Sequence, residues 1–110
     1  MNIYIGNSIN EIDPQDINVE FGDELLDFIY KLCKQVPLDM SKLCGINPYD
    51  DIEVSKNDLP SIIEVCNYIL GASLLQNYEE SEEGNQTLRD LVEIAKVAMS
   101  KDMGLVSIGD

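Results

Sequence analysis

The chain has 110 residues, 45% of them hydrophobic, and carries 21 acidic side chains against 7 basic ones, a formal net charge of −14. These totals fit one folded domain over residues 1–110 with a core of its own, and they argue against disorder. A surface this negative repels nucleic acid and anionic membranes, and it speeds encounter with a basic partner.

No basic-plus-apolar segment opens the chain, and no apolar run approaches the ~18 residues of a membrane span, so a soluble, cytoplasmic protein is expected. Cys33, Cys44 and Cys66 stand singly without CxxC spacing, which suggests reduced structural thiols.

In chain order, Asn2-Ile3-Tyr4-Ile5 alternates and stops at Gly6, the pattern of a short strand. The polar stretch from Asn7 to Asp16, with Pro14, is a loop. Ile17, Val19 and Phe21 alternate with Asn18 and Glu20, as either a second strand or an extended lead-in to the first helix. In that helix Leu25, Phe28, Ile29, Leu32 and Val36 follow helical spacing. Asp23 suits its N-cap, Glu24 and Asp27 suit the positive end of its dipole, and Lys31 and Lys34 suit the other end. Pro37 ends it at Val36. A single short turn of helix is expected within Leu38 to Leu43, closed by Gly45. Asn47-Pro48-Tyr49-Asp50-Asp51 is a turn by composition. Ile52 and Val54 alternate over too few residues to define a strand.

The longest apolar run follows. Leu59, Ile62, Ile63, Cys66, Ile69 and Leu70 share one helical face, and Val65, Tyr68 and Ala72 widen it. Pro60 fits only a first turn, so this core helix starts at Asn57 or Asp58 and can run on through Gly71 to Leu75. Ile63→Asp is the change expected to damage the fold most. Gln76 to Gln86 reads as a loop containing Glu79, Glu80, Glu82 and Glu83 and no basic residue. Asn85 or Thr87 then caps a third helix with Leu88, Leu91, Val92, Ala95, Ala98 and Met99 on its apolar face and Gly104 as its C-cap. Leu105 to Ile108 is a short terminal strand. The fold class is therefore α+β, mainly α, with three main helices and short strands near both termini. The two end strands are expected to pair with each other or with a neighbour.

The chemistry is sparse. The chain has no histidine, which removes Ser-His-Asp and Cys-His catalysis and the commonest metal ligand. Cys33 and Cys66 fall on apolar helix faces, as small buried hydrophobes do. Asp50, Asp51 and Glu53 offer oxygen ligands but do not meet the EF-hand pattern, and they read as a solvated acidic turn. No glycine-rich phosphate loop is present. The expectation is no catalytic residue, no cofactor, no metal site and no enzyme activity.

At Ile46 to Val54, INPYDDIEV, a Pro-Tyr pair precedes acidic residues and a short apolar stretch just before a long helix, and the chain closes on Ile108-Gly109-Asp110. In these features it resembles bacterial immunity proteins of contact-dependent growth inhibition and related polymorphic toxin systems. The likeness covers mainly Gly45–Leu70 and the last few residues. It departs where such proteins often have Gly then Asp after Tyr, and in a less aromatic final strand. The resemblance implies an inhibitor that binds a cognate toxin and carries no catalytic residue. Many such toxins attack nucleic acid through a basic cleft, which an acidic protein can cover. Glu79, Glu80, Glu82 and Glu83, with Asp50, Asp51 and Glu53, are the candidate contacts, and Tyr49 or Tyr78 the aromatic anchor. The partner is then a basic protein surface, with no direct nucleic acid and no membrane. Two other readings stand beside it: a DNA mimic that inhibits nucleic-acid-binding proteins, and an enzyme with a carboxylate-bound metal.

Overall fold

The computed structural model describes residues 1–13, 15–33, 35–46 and 49–109. Four short strands, β1 (Asn2–Ile5), β2 (Asn18–Glu20), β3 (Ile52–Val54) and β4 (Leu105–Ile108), form one antiparallel sheet in the order β2-β1-β4-β3. The two end strands pair with each other, from Asn2 opposite Ile108 to Ile5 opposite Leu105. Alternation places Ile3, Val19 and Leu105 on one face, where they join the hydrophobic core. Ser107 shares that face, and its buried hydroxyl donates to Met1 Sδ at 3.2 Å. Tyr4 and Val106, on the other face, are also buried.

Helices α1 (Asp23–Leu32), α2 (Ser41–Cys44), α3 (Leu59–Gly71) and α4 (Ser81–Ser100) account for the rest of the regular structure. The class is α+β with helix predominant, and three of the helices are long. α3 and α4 make the largest helix contact, and α4 also packs on β1 and β2. Leu59, Ile62, Val65, Cys66 and Ile69 of α3 are buried, as are Leu88, Leu91, Val92, Ile94, Ala95 and Ala98 of α4. Each large side chain removed from water this way contributes about 1.5–3 kcal/mol. Ile63 and Leu70 are only half-buried, and Tyr68 and Ala72 are exposed, so the buried face is narrower than the sequence suggests. Ile62 and Ile69, rather than Ile63, are at its centre.

Several boundaries differ from expectation for identifiable reasons. α1 stops at Leu32, and Gly22 rather than Asp23 is its N-cap, so Asp23 is its first residue. α3 starts after Asp58, with Pro60 in its first turn, as expected. It does not continue to Leu75. Ser73 takes a left-handed conformation, φ 54°, while Leu74 N–H donates to Ile69 O at 3.1 Å and Ser73 N–H to Leu70 O at 3.3 Å. That pair of bonds is a Schellman stop. The same motif ends α4, with Asp102 at φ 58°, Met103 N–H on Ala98 O and Asp102 N–H on Met99 O. Gly104 is therefore no C-cap. A Cβ there would collide with the Val54 carbonyl, so the glycine permits close approach to the chain at β3.

The largest correction is the glutamate segment. α4 begins at Ser81, so Glu82 and Glu83 lie in its first turn rather than in a loop, and Thr87 is inside the helix with its hydroxyl on Glu83 O. The cysteines are the second correction. Cys33 and Cys44 are joined as a disulfide, while Cys66 is free and buried. The turn expected at Asn47-Pro48, Pro14 in the expected loop, Lys34 at the end of the first helix and Asp110 of the closing Ile-Gly-Asp all lie outside the described residues.

Candidate functional site

The acidic candidates fall into two groups along the chain, Asp50, Asp51 and Glu53 before and within β3, and Glu79 to Glu83 at the start of α4. Asp51 and Glu53 are used by the fold itself: Asp51 Oδ1 accepts the Gly109 N–H at 3.0 Å, and Glu53 Oε2 accepts the Ile9 N–H at 3.1 Å. These carboxylates tie β3 and the residue before it to the end of β4 and to the turn at Ile9–Glu11, while both side chains stay exposed. Asp50 and Tyr49 are exposed next to them.

Glu79, Glu80, Glu82 and Glu83 are exposed at the start of α4. Here the structure adds what the sequence hides. Gly84 is buried, and a Cβ on it would lie 3.0 Å from Leu75 Cδ1, 3.2 Å from Leu25 Cδ1 and 3.3 Å from Tyr78 Cδ2. The glycine thus lets the start of α1 and the α3–α4 connection pack against the first turn of α4. Two helix N-termini come together, and each prefers acids in its first turn because of its dipole. Asp23 and Glu24 occupy one; Glu82 and Glu83 occupy the other.

The result is a crowd of like charges. The Glu80 carboxyl is held above the ordinary glutamate range, first by the charge of Glu83, then by partial desolvation, and further by Glu24 and Glu79. The Tyr78 phenol is likewise raised, first by desolvation and then by Glu80, Glu24, Glu83 and Glu79. Tyr78 is half-buried, with its ring centroid 5.1 Å from that of Phe28, so it is the cluster's packed centre rather than a free anchor. A shallow hollow of about 330 Å³ opens beside it, lined by Glu20, Glu80, Glu83 and Thr87 among others. Glu20 and Glu24 were missed as site residues. Their signal was present as acids at the end of a strand and the start of a helix, but only tertiary packing brings them to α4.

Arg89 lines a neighbouring hollow with Glu82 and Glu83, and the ion pairs lie elsewhere. Among the described residues, Lys31 pairs with Asp27, Lys42 with Asp58, Lys56 with Asp102 and Lys96 with Glu93, and none of these pairs reaches Glu24, Glu79, Glu80 or Glu83. Among the described residues, no group of three His, Cys, Asp or Glu side chains is arranged to hold a metal, and no helix is long and apolar enough to cross a membrane.

Tyr49 belongs to a different feature, a groove between α1 and the segment after α2 that also contains Asp23, Asp27 and Tyr30. The Cys33–Cys44 bond ties its two sides, because Cys33 directly follows α1 and Cys44 lines the groove. Chemically, then, the molecule presents crowded carboxylates where two helix N-termini meet, and a small aromatic-acidic groove. Comparison with protein-family models, with characterised proteins and with solved structures yields no match.

Proposed function

We propose that this chain is an immunity protein. It binds a cognate secreted bacterial toxin, a nuclease with a basic cleft, and neutralises it without turning over a substrate. It acts in the cytoplasm, where the Cys33–Cys44 bond is the one feature that runs against a reducing compartment. The observation that supports this reading is the corner where Glu24, Glu79, Glu80 and Glu83 crowd around Tyr78, outside the ion pairs found among the described residues. Repulsion there weakens the free fold, and a basic surface placed over it recovers that energy. The complementary charge also raises the association rate and makes binding sensitive to salt.

The test is capture of the toxin encoded beside this gene, at low and high salt, by the wild type and by the variant E79K/E80K/E82K/E83K. Capture that weakens with salt and is lost in the variant is expected. Capture indifferent to both would reject the acidic face as the contact. Inhibition of several unrelated DNA-binding proteins, in place of one toxin, would move the assignment to a DNA mimic.

A further inference from the structure

Asp23, Leu26, Asp27 and Tyr30 fall at i, i+3, i+4 and i+7, on one face of α1. They line a groove of about 340 Å³ whose other side is Cys44, Gly45, Ile46 and Tyr49. Leu26 and Ile46 are buried, whereas Tyr30 and Tyr49 are 62% and 67% exposed. Two large rings are thus held at the surface beside two carboxylates. Among the described residues Asp27 has only an exposed pairing with Lys31, a kind of contact worth little. Asp23 is half-buried, and its Oδ1 is shut off from solvent with no hydrogen-bond partner among the described residues. An oxygen in that position is normally satisfied, and leaving it unmatched is costly.

We propose that this groove seats a single arginine side chain presented by a protein partner. The methylene stem covers the Leu26–Ile46 floor, the planar guanidinium stacks on the tyrosine rings, and its N–H groups donate to the Asp23 and Asp27 carboxylates. Those donors add to what the α1 dipole gives Asp23 and the exposed Lys31 pairing gives Asp27. Arginine fits better than lysine because the seat rewards a flat, delocalised cation with several fixed donors. A second copy of this chain is a poor occupant, since each copy carries a net charge of −14. The volume lies at the bottom of the roughly 300–1,000 Å³ range of small-molecule sites, which favours one side chain over a free metabolite. The inference rests on the chain being a protein-binding module, as proposed above, but not on the Glu79–Glu83 face.

The experiment titrates the isotopically labelled protein with N-acetyl-arginine N-methylamide and, separately, with the lysine analogue, following backbone amide shifts by NMR. The arginine probe should move amides of residues 23–30, 44–46 and 49, and bind about three- to fivefold tighter than the lysine probe. Tyr30→Ala and Tyr49→Ala, both at exposed positions, should each weaken it by a similar factor, Tyr30→Phe should retain it, and Asp23→Asn should weaken it further. Equal response to both probes, shifts centred on Glu79–Glu83, or indifference to the tyrosine variants would overturn the proposal. Toxin capture that survives Tyr30→Ala and Tyr49→Ala but is lost in E79K/E80K/E82K/E83K would overturn the arginine seat and leave the acidic-face reading standing. The opposite pattern would place the contact in the groove and remove it from the corner.

Discussion

Ile62 and Ile63 are neighbours of identical chemistry, and only the phase of α3 separates them. Ile62 is 1% exposed within the core, while Ile63 is half-buried. Truncating Ile62 to alanine removes buried carbons and leaves a void that the close-packed surroundings fill only partly, at a cost of about 3–4 kcal/mol. Truncating Ile63 removes roughly half as much buried surface and opens to solvent instead of creating a cavity, at about 1–1.5 kcal/mol. For a domain near this size each kcal/mol shifts Tm by about 4 °C or somewhat more, so the drops should be about 12–16 °C against about 4–6 °C. Urea unfolding followed by circular dichroism measures both, with an unchanged slope showing that stability alone has moved. Equal losses, or a larger loss at Ile63, would mean the helix is rotated by about one residue's turn from the face described, and the packing argument for the whole core would fail.

Three other outcomes are expected. Burial pushes the Cys66 thiol up to about 12, from an ordinary value of 9.0, and desolvation with the neighbouring glutamates raises Tyr78. The unfolded chain ionises these groups first, so their stabilising contribution is complete below about pH 9 and is lost as pH rises toward 12; a urea midpoint flat from pH 8 to 11 would contradict this. The raised Glu80 carboxyl works in the same direction at lower pH: its folded form prefers the proton, so the stability it contributes is present in acid and lost as pH rises through its folded value. Glu80→Gln should therefore raise the urea midpoint of the free protein at pH 7, with the gain shrinking as pH falls, while it weakens toxin capture; a lower midpoint at pH 7 would refute the repulsion. Cys33 and Cys44 are 11 residues apart, and cross-linking a loop of that length should stabilise by about 3 kcal/mol. Reductant should lower the urea midpoint of the wild type and of Cys66→Ser but not of Cys33→Ser, and equal midpoints with and without reductant would remove the bond from the account.

The long helices were legible because their apolar residues repeat with helical period and because Pro60 marks a start without ambiguity. The pairing of the end strands was legible because a lone short strand has no other way to satisfy its backbone. The three-residue strands β2 and β3 offer too little alternation to be distinguished from extended loops, so half of the sheet was at best ambiguous. Gln76 to Gln86 read as a loop because glycine weakens an isolated helix by about 1 kcal/mol, yet Gly84 lies where three side chains pack tightly against the position a Cβ would take. The acidic corner was half visible for the same reason: the α4 glutamates are contiguous in sequence, while Glu20 and Glu24 reach them only through packing. The backbone bonds of Asp51 and Glu53 were not legible in the sequence, because the N–H groups they accept belong to Gly109 and Ile9, 58 and 44 residues away.

The middle of the sheet joins β1 to β4, and every helix lies between them along the chain. Its ladder can close only once the intervening segments are compact enough to bring distant partners within reach, an entropic cost that precedes the gain. Folding should accordingly be slower than the helical content alone would suggest. Helix signal should develop ahead of burial around Ile3 and Leu105, and any intermediate that accumulates should be a helical cluster with its strands still unpaired.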